Sequence, residues 1–115
     1  MIEEELFIHL KGSVPSVNER VYPLIMPQDC EKPALVYANI NSRDNQGLEG
    51  CVLSISSRIQ VDVYATGYSE MKAISQEVKA ALYSFGVYPN ELNSHDGFEE
   101  GQELFRQIID FYIRR

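Results

Sequence analysis

Two histidines, two cysteines and seventeen carboxylates are the residues of this 115-residue chain that could carry chemistry, and their spacing decides what chemistry is open to them. His9 and His95 each stand apart from any His, Cys or carboxylate at metal-ligand spacing, which argues against a zinc centre. His9 reads as flanking a buried helical stripe, and His95-Asp96 as a solvated pair in a polar stretch. Cys30 and Cys51 lie 21 residues apart without a CxxC partner, so they read as reduced, structural thiols. The sequence contains no G-x-S-x-G elbow, Walker loop, GxGxxG or H-E-x-x-H, the short signatures of hydrolase, nucleotide and metalloprotease chemistry. Among the carboxylates, Asp62 is the one that neighbouring strands could hold in place, with cross-strand pairing to a basic residue such as Arg106 as the plain structural role. Glu3-Glu4-Glu5 and Glu99-Glu100 read as solvated charge clusters. The seven tyrosines are more telling. Tyr37, Tyr64 and Tyr112 fall on strand positions opposite the expected core face, where they either cover an open sheet face or serve an interface, since Tyr joins apolar area to a polar tip.

The elements that must position these residues centre on 53–82. Leu53, Ile55, Ile59, Val61, Val63 and Ala65 alternate with Ser54, Ser56, Arg58, Gln60 and Asp62, which predicts a half-buried strand. Met71, Ile74, Val78, Ala81 and Leu82 then recur at spacings of three and four, which predicts an amphipathic helix capped by Ser69 and folded back on the odd-numbered strand face. Before this unit, Ile2, Leu6 and Leu10 predict a helix over 2–11, Arg20-Val21-Tyr22-Pro23 a brief extended segment, and Pro23, Pro27 and Pro33 an ordered loop. Residues 34–41 predict a strand with Ala34, Val36, Ala38 and Ile40 on one face, followed by a long polar loop over 42–50. After the helix, 85–89 offers a short strand, 90–103 a polar, mobile excursion, and 104–115 a closing strand. The expected core is Leu6, Leu10, Val36, Ile59, Val61, Val63, Ile74, Val78, Leu82, Ile109 and Phe111. Together these give one α+β domain over 1–115, a mainly antiparallel sheet of three or four strands with two helices packed on one face.

A hydrophobic share of 44% and a charged share of 23% suit a soluble globular domain, and no run approaches the ~20 apolar residues that span a bilayer. The N-terminus is acidic where a secretory signal would be basic, so retention inside the cell is expected. A net charge of −7 disfavours gripping nucleic acid or an anionic membrane, both of which call for dense Lys and Arg.

The order of segments resembles a phage and prophage family. After the N-terminal helix come Arg20-Val21-Tyr22-Pro23-Leu24, then Lys32-Pro33-Ala34-Leu35-Val36-Tyr37, then Arg58-Ile59-Gln60-Val61-Asp62-Val63-Tyr64-Ala65 running into Tyr68-Ser69-Glu70-Met71-Lys72-Ala73. Over almost the whole chain this is similar to the tail completion, or head-to-tail joining, proteins, whose role is like that of the tail terminators. The resemblance implies a structural virion protein without catalytic residues or cofactors. Assembled in the bacterial cytoplasm, it would form a ring, typically a hexamer, that caps the tail tube and meets the head connector. The interface residues expected from the charge and tyrosine pattern are Arg58, Gln60, Asp62 and Tyr64 on the central strand, with Arg43 and Asp44 in the adjoining loop. An acidic ring would also suit a channel through which DNA slides without sticking. Two other classes fit the residues: a small interaction module outside the virion, and an enzyme that places convergent polar groups around Asp62 in a concave pocket.

Overall fold

The switch from a two-residue to a 3.6-residue period in 53–82 builds a strand followed by a helix, and the remaining strands assemble around that pair. The computed structural model describes residues 1–46 and 52–114, with backbone alone for 45–46 and 52–54. Helix α1 covers Ile2–Ser13 and α2 covers Tyr68–Phe85; strands β1 (Val21–Pro23), β2 (Ala34–Gln46), β3 (Val52–Ala65), β4 (Leu92–Glu99) and β5 (Leu104–Arg114) form one sheet in the order β1-β2-β3-β5-β4. The fold is α+β as the sequence predicts, but the sheet has five strands and is mixed, because β1 runs parallel to β2 while every other pairing is antiparallel. The two short segments rich in Tyr and Pro, Arg20 to Pro23 and Pro33 to Tyr37, turn out to be partners. Val21, Tyr22 and Pro23 stand beside Leu35, Val36 and Tyr37, and Arg20 Nε donates to the Pro33 carbonyl at 2.8 Å.

Both helices share the core with one face of this sheet. Leu6 and Leu10 of α1, Met71, Ile74, Val78, Ala81 and Leu82 of α2, Ile59, Val61 and Val63 of β3, and Ile109, Phe111 and Ile113 of β5 are buried in a single cluster. All eleven expected core residues are buried, Val61 completely. Val36 is the exception in placement, because the helices cover the Leu35 and Tyr37 side of β2 rather than the Val36 side. Volume explains the inversion: Leu35 and Tyr37 bring more apolar area to the helices than Ala34, Val36 and Ala38 can, and Tyr37 meets Phe7 of α1 with ring centroids 6.1 Å apart. Tyr37 is therefore a core residue. Burial pushes its phenol above the ordinary tyrosine range, helped by Glu3 and Glu4.

Several boundaries differ from the sequence expectation, beginning with α1, which runs on through Gly12 to Ser13 instead of stopping at 11. Residues 42–46 continue β2 instead of starting a loop, after a bulge at Ile40 that shifts the register with β3; the expected loop's remainder, 47–50, lies outside the described residues. Gly67, not Ser69, is the N-cap of α2, and no side chain caps it. Tyr68 is already helical, its ring edge-on to Phe105 at 5.8 Å, so tertiary packing carries the helix one residue past its polar start signal. At the other end Gly86 (φ 116°) stops α2, with its own N–H on Tyr83 C=O and Val87 N–H on Leu82 C=O; no strand begins there, and a short turn of 3₁₀ helix follows at Pro89–Glu91. Finally, 90–103 is not an excursion: Leu92–Glu99 is β4, an edge strand paired along β5.

Candidate functional site: the open sheet face

The helices pack against one face of the sheet only, and on the other face β3 sets the chemistry. Arg58, Gln60, Asp62 and Tyr64 point away from the core because they alternate with Ile59, Val61 and Val63. On β5 the corresponding row is Arg106, Ile108, Asp110, Tyr112 and Arg114, opposite Tyr64, Asp62, Gln60, Arg58 and Ser56. Of the other two expected interface residues, Arg43 stands opposite Ser56 on this same face. Asp44 does not. It pairs with Ile55 on the helix side, where with Ser42, Ser57 and the α1 residues Ile2, Glu3 and Glu5 it lines a shallow hollow, and both residues belong to β2 rather than to a loop. The bulge at Ile40 is the cause, since one extra residue exchanges the two faces beyond it.

The charges of this face are largely paired with one another. Arg106 bridges two carboxylates, its Nη2 on Asp62 Oδ2 and its Nη1 on Glu99 Oε1, both at 2.8 Å. Gln60 Nε2 donates to both oxygens of Asp62 at 3.1 Å, so the carboxylate, 5% exposed, has three donor contacts. Burial alone would lower the Arg106 pKa, but the bonds to Asp62 and Glu99 outweigh it and hold the guanidinium above its ordinary value. The same guanidinium lies over the Tyr64 ring at 5.6 Å, and burial pushes the Tyr64 phenol up against the opposing pull of Arg106. Further along, Arg58 and Asp110 approach to 3.7 Å. Ala34 and Val36, beside Tyr64 and Asp62, are buried on this side, while Tyr112 stays half exposed.

What this arrangement can do chemically is limited. Asp62 is an acceptor saturated by Gln60 and Arg106, which suits a fixed strut rather than a proton carrier. Among the described residues no group of three His, Cys, Asp or Glu could hold a metal ion, and no helix is long and apolar enough to cross a membrane. His9 bonds the Ala81 carbonyl at 2.8 Å and Ser84 at 3.0 Å, tying α1 to the end of α2. Asp96 is exposed beside His95 as expected, and it also accepts from Lys72 Nζ at 2.7 Å and Tyr68 OH at 2.8 Å, docking β4 on α2. The Arg106, Asp110 and Tyr112 row was legible from the alternation of 104–115; the role of Glu99 was not, because its segment carried no strand signal.

The comparisons with known proteins bear on the whole chain. The family described as Tail completion protein gp17 matches residues 4–114. Among solved structures, the fold is similar to a chain of "Virion of native gene transfer agent (GTA) particle", with a TM-score of 0.72 and 15% identity over 95% of this chain and 90% of that one. No curated protein matches the sequence.

Proposed function

We propose a function that proceeds from one fact: this chain belongs to the tail completion protein gp17 family, which matches it over residues 4–114. It is a structural protein of the phage virion tail. The reading goes further in three respects: the subunits form a ring, typically of six; the ring closes the head-proximal end of the tail tube and meets the head connector; and its work is contact rather than catalysis. The family match carries this reading, and the geometry supports it, since most charges of the open face pair with one another, Asp62 with Arg106 and Gln60, and Arg58 with Asp110. That face, with Arg43, Arg58, Gln60, Asp62 and Tyr64, is one of the contact surfaces, with half-exposed Tyr112 as an apolar anchor.

A subunit of 115 residues cannot encircle a tube, so joining requires several copies, and a cyclic ring requires two different complementary patches on each. With a net charge of −7 per copy, like-charge repulsion opposes assembly and salt screens it. Sedimentation across protein concentration and salt is expected to show a monomer–oligomer equilibrium moving toward rings as both rise. Negative-stain images of mixtures with the cognate tail tube are expected to show rings on tube ends. A protein that stays monomeric throughout and never decorates tube ends would overturn the joining role.

A further inference from the structure

The sheet has two ends, and they match each other. At one end β1 covers β2 only from Leu35 to Tyr37, so β2 presents an open edge from Ala38 to Gln46, nine residues; at the other end β4 presents an open edge of eight, Leu92–Glu99. Resting on the ring reading above, we propose that neighbouring subunits close the ring by edge-to-edge strand addition, the β4 edge of one copy pairing with the β2 edge of the next.

Direction supports this pairing. The pairings β2–β3, β3–β5 and β5–β4 are all antiparallel, so β2 and β4 run in opposite senses. A rotation about an axis lying along the strands preserves each strand's sense, and therefore brings the next copy's β4 to β2 as an antiparallel partner. The two patches are different surfaces of one chain, as a closed head-to-tail ring requires.

Charge supports it as well. On a chain of net charge −7 the β2 edge is locally neutral and the β4 edge is largely compensated. Arg43 and Asp44 offset each other on β2, while on β4 Asp96 is held by Lys72 and Glu99 by Arg106. Copies can approach along these strips without meeting the repulsion that the rest of the surface imposes. Each edge also carries one large apolar side chain about half exposed, Ile40 on β2 and Phe98 on β4. Isolated edges are commonly blunted by Pro or Lys, and neither residue occurs in 38–46 or 92–99.

The backbone alternation names the groups involved. Leu35 N–H donates to Arg20 C=O at 2.9 Å and Leu24 N–H donates to Tyr37 C=O at 2.8 Å, so odd residues of β2 turn their backbone outward up to the bulge, and Ser42 and Asp44 do so beyond it. Carried through the pairs Tyr37–Val61, Val61–Ile109 and Ile109–Ser94, the same alternation turns Ser94, Asp96 and Phe98 outward on β4.

Two variants separate the edges. Ser42→Pro removes an outward N–H from β2, and Ser94→Pro one from β4, each sparing the internal ladder. Each alone is expected to raise the concentration for half-assembly at least about tenfold. Mixed, they should form a one-to-one dimer and stop, because each supplies the edge the other lacks. Hydrogen exchange on the wild type gives a measurement independent of any variant's folding: on assembly the amides of Ser94, Asp96 and Phe98 should slow, whereas those of Asn93 and His95, bonded to β5, should already be slow in the monomer. Wild-type rings with unchanged exchange at Ser94 and Asp96, or folded variants that still form rings, would overturn edge pairing while leaving the ring intact. A wild type that forms no ring in solution or on tube ends would overturn both.

Discussion

Asp62 shows how a charge can be kept inside a sheet face at a tolerable cost. Its carboxylate is desolvated, and what holds it there is Arg106, reached diagonally across β3 and β5, together with Gln60. Arg106→Leu leaves that carboxylate with Gln60 alone, and a loss of about 3 kcal/mol in urea unfolding is expected. The double variant Asp62→Leu/Arg106→Leu should be more stable than Arg106→Leu, since a buried charge without its partner costs more than no charge at all. Asp96 is different because its ion pair is exposed. Lys72 first, and then Tyr68, hold its carboxyl below the ordinary aspartate value. A depressed folded pKa contributes stability that is present above the unfolded value and lost as pH falls through the folded one, so the contact between β4 and α2 should loosen on acidification. NMR titration of the Asp96 carboxyl is expected to give a midpoint below that of a free aspartate, and Lys72→Ala should move it upward.

At the level of elements, the strand–turn–helix unit of β3 and α2 holds the fold together. Val61→Asp would place an unpaired charge at the centre of the core cluster, and loss of cooperative melting is expected. Gly86 ends α2 at φ 116°, a conformation a side chain resists, so Gly86→Ala should cost about 1–2 kcal/mol in thermal or urea unfolding. Periodicity made β3, α2 and β5 legible because each buries most of one face, and every core residue named from it is buried. It could not reveal β4, whose alternation of Leu92, Ser94, Asp96 and Phe98 is apolar only at its ends; an edge strand buries little, and β4 is instead held by its ladder to β5, the Lys72–Asp96 contact and the Phe98–Phe105 ring pair at 5.1 Å. Nor could it fix the faces of β2, where Ala34, Val36 and Ala38 alternate with Leu35 and Tyr37 and both rows become buried near the start of the strand. The open-face row was readable on β3 for the same reason as the core. Arg43 and Asp44 lie in β2 rather than in the expected loop, and the face each takes could not be read because a bulge at Ile40 leaves no mark in a sequence whose next residues are all polar.

The whole molecule is long for its size. Its extents are 51 × 25 × 24 Å, as expected when two strands of 13 and 14 residues run on past the ends of their neighbours β1 and β5. Elongation changes how the monomer moves through solvent. A rod twice as long as it is wide meets more friction than a sphere of equal mass, so on a sizing column the single subunit should elute ahead of globular standards of its mass and imitate a larger species. Sedimentation equilibrium, in which friction cancels, should return the mass of one chain from the same dilute fraction. Conversely, closing the subunits into a ring with strands along the axis would gather their long dimensions side by side, and the frictional ratio should fall as mass rises.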